Sequence, residues 1–230
     1  MRVAIHQPQY LPWLGYFDKM DRADCFVILD DVQFKKNEWQ NRNRIKTPAG
    51  WQWLTVPVRH RFPQRIAEVR INGAAPWPRK HLGALAANYA GAPAFELHRP
   101  FLEDVYGRPW DRLLDLSLAT LGYLIGALGI ETKLRLASAL DLPAAGSATD
   151  RLIAICRAVG ADTYLSGAGG RDYLDAPRFD RAGLRVDVQT FSCPVYPQRF
   201  GDFEPNLSIV DLLFNCGAES LAILRGGARL

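Results

Sequence analysis

A chain of 230 residues can bury one good core with at most a modest insertion. With 48% hydrophobic and 23% charged residues it has the composition of a globular enzyme-sized domain, which excludes disordered and fibrous classes. The formal charge of +4 suits anionic ligands such as nucleotides or sugar nucleotides, but it falls short of the basic stripe of a dedicated nucleic-acid binder.

The four cysteines (Cys25, Cys156, Cys193, Cys216) lie far apart without C-x-x-C spacing. Neither a disulfide framework nor a cysteine metal site is expected, and a reducing, cytoplasmic compartment is. The first residues lack the apolar core of a signal peptide. Segment 113–130, LLDLSLATLGYLIGALGI, is interrupted by Asp115 and only about as long as the ~18 residues a membrane span needs. It reads as a buried helix or a subunit contact, which leaves room for a homo-oligomer and none for a membrane span.

Taken in order, residues 2–6 form a short apolar strand. Pro8 and Pro12 hold off helix until residue 13, and 13–23 then read as an amphipathic helix. Residues 25–29, CFVIL, have the pattern of a buried strand ending at Asp30-Asp31, so the opening spells β–loop–α–β. Residues 39–46, 52–59 and 67–72 look like short antiparallel strands with a turn at Pro48-Ala49-Gly50. Helices follow at 79–89, 99–106 and 110–128. Alternation then returns, with strands at 132–137, 163–165 and 184–190, a helix at 149–159, and a last helix pair from 208. The fold class expected is α/β: one domain, a three-layer sandwich with a parallel sheet of about five strands and a β-hairpin and helical insertion at about 34–128.

In an open parallel sheet, ligands bind beyond the carboxyl ends of the strands, where strand order reverses. Four segments are expected near that edge. The loop after the first strand offers His6, Gln7 and Tyr10, fixed by two prolines. Asp30-Asp31-Val32-Gln33 follows the second strand, with Asp30 and Gln33 placed to hold a hydroxyl or amine. The run Ser166-Gly167-Ala168-Gly169-Gly170-Arg171-Asp172-Tyr173 is a glycine-rich turn whose backbone lets an anion approach closely, with Ser166, Gly167, Gly169, Asp172 and Tyr173 as candidates. It is neither a Walker A nor a G-x-G-x-x-G sequence. In NEWQNRNRIK, Asn41 and Asn43 share one face of a strand and Arg42 and Arg44 the other. Trp39, Trp51 and Trp53 lie nearby as a stacking surface for a sugar or base. Lys19 points back toward the first loop, Asp211 and Asn215 share a helix face one turn apart, and His81 is expected on the surface.

The blocks HQPQYLPWLGYFDKM, LDDVQF, WQNRNRIK, YLSGAGGRDYLD and PNLSIVDLLFNCG, in that order, resemble the WbqC-like family over nearly the whole chain. That resemblance implies a role in bacterial surface-polysaccharide (O-antigen-type) synthesis, on an activated or nucleotide-linked amino sugar, by aminoacyl or acyl transfer. By position the family blocks fall on His6, Gln7, Pro8, Tyr10, Trp13, Gly15, Lys19, Asp30, Asn41, Arg42, Gly167, Tyr173, Asp211 and Asn215. The opening is also distantly similar to the nucleotidyltransferases of the HIGH-signature superfamily. It departs from them at Trp13-Leu14-Gly15-Tyr16, where their H-x-G-H would fall.

The leading expectation is a transferase with His6, Lys19 and Asp30 as catalytic residues. His6 would be general base or phosphate ligand, Lys19 and Arg42 anion ligands, and Asp30 a hydroxyl or amine ligand. The remaining candidates named above would bind substrate. No protein metal site is expected, although Mg²⁺ carried by the phosphates of a nucleotide or activated donor would leave little trace in sequence. Two other classes fit the same residues: a non-catalytic sugar-nucleotide or glycan-binding protein, and a nucleic-acid binder.

Overall fold

Val3 and Ile5 alternate with Ala4 in the first strand, and all three are buried, so this strand needs cover on both faces. The computed structural model describes residues 1–172 and 174–226, and for Arg171 and Asp172 the backbone alone. In chain order the elements are β1 (Arg2–His6), α1 (Leu14–Asp21), β2 (Cys25–Ile28), β3 (Arg42–Thr47), β4 (Gly50–Thr55), β5 (Val58–Arg59), β6 (Arg70–Ile71), α2 (Trp77–Tyr89), α3 (Phe95–Gly107), α4 (Leu113–Leu128), β7 (Lys133–Leu136), α5 (Ala148–Ala158), β8 (Thr163–Ser166), α6 (Ala176–Arg181), β9 (Arg185–Val188), α7 (Ile209–Cys216) and α8 (Ser220–Leu224).

They form two compact units. The first comprises residues 1–7, 18–31 and 131–192. Its centre is a five-stranded, wholly parallel sheet in the order β7-β2-β1-β8-β9. Register places Val3 beside Cys25 and Tyr164, and Ala4 beside Phe26 and Leu165. The face carrying Val3, Ile5, Cys25, Val27 and Tyr164 packs on Leu152, Ile155 and Cys156 of α5 and on Phe179 of α6. Each such side chain contributes about 1.5–3 kcal/mol of burial. Ala4, Phe26, Ile28 and Leu165 belong to the other face and are equally buried. From β1 the chain steps outward to β2 and β7, then crosses to β8 and on to β9. Strand order therefore reverses between β1 and β8, and the carboxyl ends of these two strands flank the switch point.

The second unit comprises residues 8–17, 32–130 and the chain from 193. β3 and β4 make a hairpin closed by Pro48-Ala49, with Thr47 opposite Gly50, whose φ of 107° suits glycine. The strand expected at 39–46 starts only at Arg42, because Asn41 N–H bonds back to Glu38 in a turn. The one expected at 52–59 breaks at Pro57, which cannot donate to a ladder, and the short β5 pairs instead with β6. The stretch 67–72 is mostly a 3-10 turn, Ile66–Glu68, before β6. α4 buries Leu113, Leu116, Thr120, Leu121 and Leu124 and ends on Gly129 at φ 74°. Among the described residues no helix is long and apolar enough to cross a membrane.

Candidate functional site

In the first unit, β1 ends at His6 and leads into Gln7, and β8 runs into a glycine-rich turn. Together they enclose a cavity of about 300 Å³ at the switch point. Its lining is Ile5, His6, Gln7, Lys19, Leu29, Leu152, Tyr164 and the glycines 167, 169 and 170. At Gly170 the absence of a side chain is a matter of space. A Cβ on Gly170 would stand 1.9 Å from the Ser166 hydroxyl, and one on Gly167 would reach 4.0 Å from the Lys19 ammonium.

Lys19 is 2% exposed, and its Nζ donates to the Ile5 carbonyl at 2.8 Å. The adjacent carboxylate, Asp18, is already engaged by Arg22 (2.8 Å) and Gln189 (2.7 Å). Among the described residues no carboxylate forms an ion pair with Lys19. Desolvation therefore holds its amine down to about 7, so near neutral pH it is poised between its two forms. Burial, and then the Lys19 charge, push the His6 imidazole down to about 3. Nδ1 of His6 donates to the Gln7 carbonyl at 3.0 Å, which leaves Nε2 as the acceptor nitrogen of a neutral ring. The cavity thus offers a desolvated amine, a neutral imidazole and a backbone that a ligand can approach closely. That combination suits an anion such as a phosphate.

Of the residues singled out from sequence, His6, Gln7, Lys19, Gly167 and Gly169 line this cavity. Asp30 is buried and holds the turn after β7, accepting from the Ser138 N–H (3.0 Å) and hydroxyl (2.6 Å). Ser166 is fully buried, with its hydroxyl donating to the Gly167 carbonyl. Tyr173 and the side chain of Asp172 lie outside the described residues.

The others belong to the second unit, where each has a local partner. Asn43 donates to the Leu11 (2.8 Å) and Tyr10 (3.4 Å) carbonyls and so ties down the proline loop, in which Leu11 takes a φ of 43°. Asn41 donates to Val56, and Gln33 joins Phe34 to Gln64. The Arg42 guanidinium lies 4.1 Å over the Trp53 ring. Tyr10 is a core residue whose hydroxyl bonds His81 and Tyr106. Asp211 is buried between the hydroxyls of Tyr89 (2.6 Å) and Tyr196 (2.9 Å), and Asn215 caps its carbonyl. Desolvation raises the Asp211 carboxyl above its usual range. His81, expected on the surface, is 5% exposed, because α2 turns that face onto Tyr10 and Tyr106. Tyr164, Leu29 and Leu152 were missed as lining residues, since apolar strand and helix positions carry no sign of a cavity.

Residues 7–223 match the WbqC-like protein family. The chain belongs to that family. It is also 42% identical to the uncharacterized protein Rv1507c of Mycobacterium tuberculosis over 228 residues, 97% of each chain. No solved structure matches. The WbqC-like match takes in Lys19 and the glycine turn and begins one residue after His6. It also gives a physical reason for the WLGY block. A Cβ on Gly15 would lie 2.3–2.6 Å from the Trp13 indole, so Trp13 can fold over the start of α1 only with glycine two residues on. Among the described residues no group of three or more His, Cys, Asp or Glu side chains could hold a metal ion.

Proposed function

We propose that this WbqC-like protein is a transferase that acts on an activated, nucleotide-linked amino sugar in bacterial surface-polysaccharide synthesis, moving an acyl or aminoacyl group onto the sugar amine. The observation that carries the reading is the switch-point cavity, with Lys19 in no ion pair with a carboxylate among the described residues and His6 held neutral beside it. Lys19 and the Gly167–Gly170 backbone hold the phosphate. An amine that titrates at about 7 is readily protonated when an anion binds beside it, which an imidazole at about 3 is not, so Lys19 rather than His6 is the phosphate ligand. His6 then orients the substrate by accepting a hydrogen bond.

In the transfer, the sugar amine forms a C–N bond to the acyl carbon. The bond from that carbon to its carrier breaks, the carrier leaving with the electron pair. The amine proton passes to the departing carrier, which is released as its thiol or alcohol. Asp30, already engaged by Ser138, supports the cavity rather than touching substrate.

The test is to incubate the chain with UDP-glucosamine and an acyl thioester or aminoacyl ester and follow the sugar nucleotide by mass spectrometry. Product heavier by the acyl group, lost in Lys19→Met and His6→Ala, supports the assignment. Tight binding with no product in long incubations refutes the transferase reading.

A further inference from the structure

The second unit has a larger cavity, about 490 Å³, within the range of small-molecule sites. The end of β4 contributes Gln52, Trp53 and Thr55, and the first turns of α2 contribute Trp77, Lys80 and His81. We infer that this cavity is a second binding site, for a glycosyl phosphate: a pyranose packed on Trp53 with its phosphate on Lys80.

The floor is fixed and not reactive. His81 Nε2 donates to the Thr55 carbonyl at 3.2 Å, so Nδ1 is an acceptor and takes the Tyr10 hydroxyl at 2.9 Å. The Tyr106 hydroxyl in turn donates to Tyr10, which makes a buried, directional chain. Both imidazole nitrogens are therefore occupied, and desolvation pushes the ring down to about 4, keeping it neutral.

The walls are the part that lacks partners. Trp77 is 5% exposed and held edge-on by His81 and Tyr106, yet its indole N–H has no acceptor among the described residues. The Trp53 indole N–H, the Gln52 amide, the Thr55 hydroxyl and the Lys80 ammonium likewise have no protein partner there. These donors face the open cavity, where a ligand rich in acceptors can take them. No carboxylate lines the cavity, and Lys80 is its charge, so the ligand is an anion. The half-buried Trp53 supplies a flat apolar face on which the C–H face of a sugar ring packs, and the edge of the buried Trp77 closes the wall. The Arg42 guanidinium over Trp53 braces that wall from the hairpin.

The inference is independent of the Lys19 cavity, and the experiment keeps the two apart. Intrinsic tryptophan fluorescence of the full chain is titrated with glucose 1-phosphate, UDP-glucose, methyl glucoside, inorganic phosphate and UMP. Saturable quenching by glucose 1-phosphate is expected, weaker by about tenfold or more for methyl glucoside and for phosphate alone. Lys80→Ala, at an exposed position, should weaken glucose 1-phosphate by about tenfold with an unchanged melting curve. Lys19→Met should leave it within about twofold, so failure of the proposed transfer does not touch this result. Tighter UDP-glucose binding that also depends on Lys80 identifies a nucleotide sugar as the source of the glycosyl phosphate. No saturation by either sugar phosphate, a Lys80→Ala titration superimposable on the parent, or UMP binding as well as glucose 1-phosphate would overturn the inference.

Discussion

Replacing Lys19 by methionine should make the protein more stable while removing ligand binding, and the gain should depend on pH. Lys19 is buried, and its amine is held at about 7 against 10.5 in the unfolded chain. Between those two values the unfolded state binds more protons, so wild-type stability rises with pH across that window and is lowest below it. At pH 7 the penalty is about 4 kcal/mol. Methionine fills a similar volume without the charge but gives up the bond to the Ile5 carbonyl, worth about 1 kcal/mol. The net gain is about 3 kcal/mol, or roughly 6–12 °C in Tm for a chain of this size. Urea denaturation of both proteins from pH 6 to 10.5 measures it. The difference should be flat below pH 7, then shrink by up to about 1.4 kcal/mol per pH unit, cross zero near pH 10 and leave the variant slightly less stable at 10.5. A variant less stable than wild type at pH 7, or a difference that ignores pH, would refute the picture of a buried cation without a counter-charge.

Other outcomes follow from the same geometry. His6 is neutral when folded, with its imidazole at about 3, so the unfolded chain takes the proton between 6.5 and 3. Stability should fall as pH drops through that range, and His6→Gln should flatten this part of the acid denaturation curve. Gly167→Val puts a side chain where the Cβ alone comes to 4.0 Å from Lys19 Nζ. It should weaken UDP-glucosamine binding by about tenfold or more by calorimetry while leaving Tm within a few degrees. Asp30→Asn should cost about 1–3 kcal/mol in thermal unfolding, through Ser138, with affinity unchanged within about twofold. Asn43→Asp replaces the donor to the Tyr10 and Leu11 carbonyls with an acceptor, and should cost about 3 kcal/mol or more in urea.

The centre of the sheet was legible because β1, β2 and β8 are short, buried runs, which periodicity reports directly, whereas the edge strands β7 and β9 are more exposed and follow from the alternation of elements. Pro57 marked where the strand expected at 52–59 would break, but the 3-10 turn at 66–68 left no comparable sign. The site was half legible. A loop leaving β1 and a glycine turn leaving β8 are local features, and the switch-point rule brought His6, Lys19 and Gly167 to one edge. What sequence does not carry is whether a polar side chain is spent on its own fold. Asn41, Asn43, Asp30 and Tyr10 have the chemistry of ligands, yet each is consumed by a nearby carbonyl, turn or ring. Conversely, Trp77 and His81 sit on a helix whose polar neighbours Arg79 and Lys80 suggest a surface face, and only packing reveals the cavity beside them.

The central claim is that the switch-point cavity takes an anionic, activated substrate by restoring the charge of Lys19. Calorimetric titration of UDP-glucosamine at pH 8, in two buffers of different ionisation enthalpy, counts the protons exchanged on binding. At that pH the amine of the free protein is mostly neutral, so binding should take up close to one proton, and Lys19→Met should abolish both uptake and binding. Binding with no proton uptake, or uptake that survives in Lys19→Met, would contradict the account.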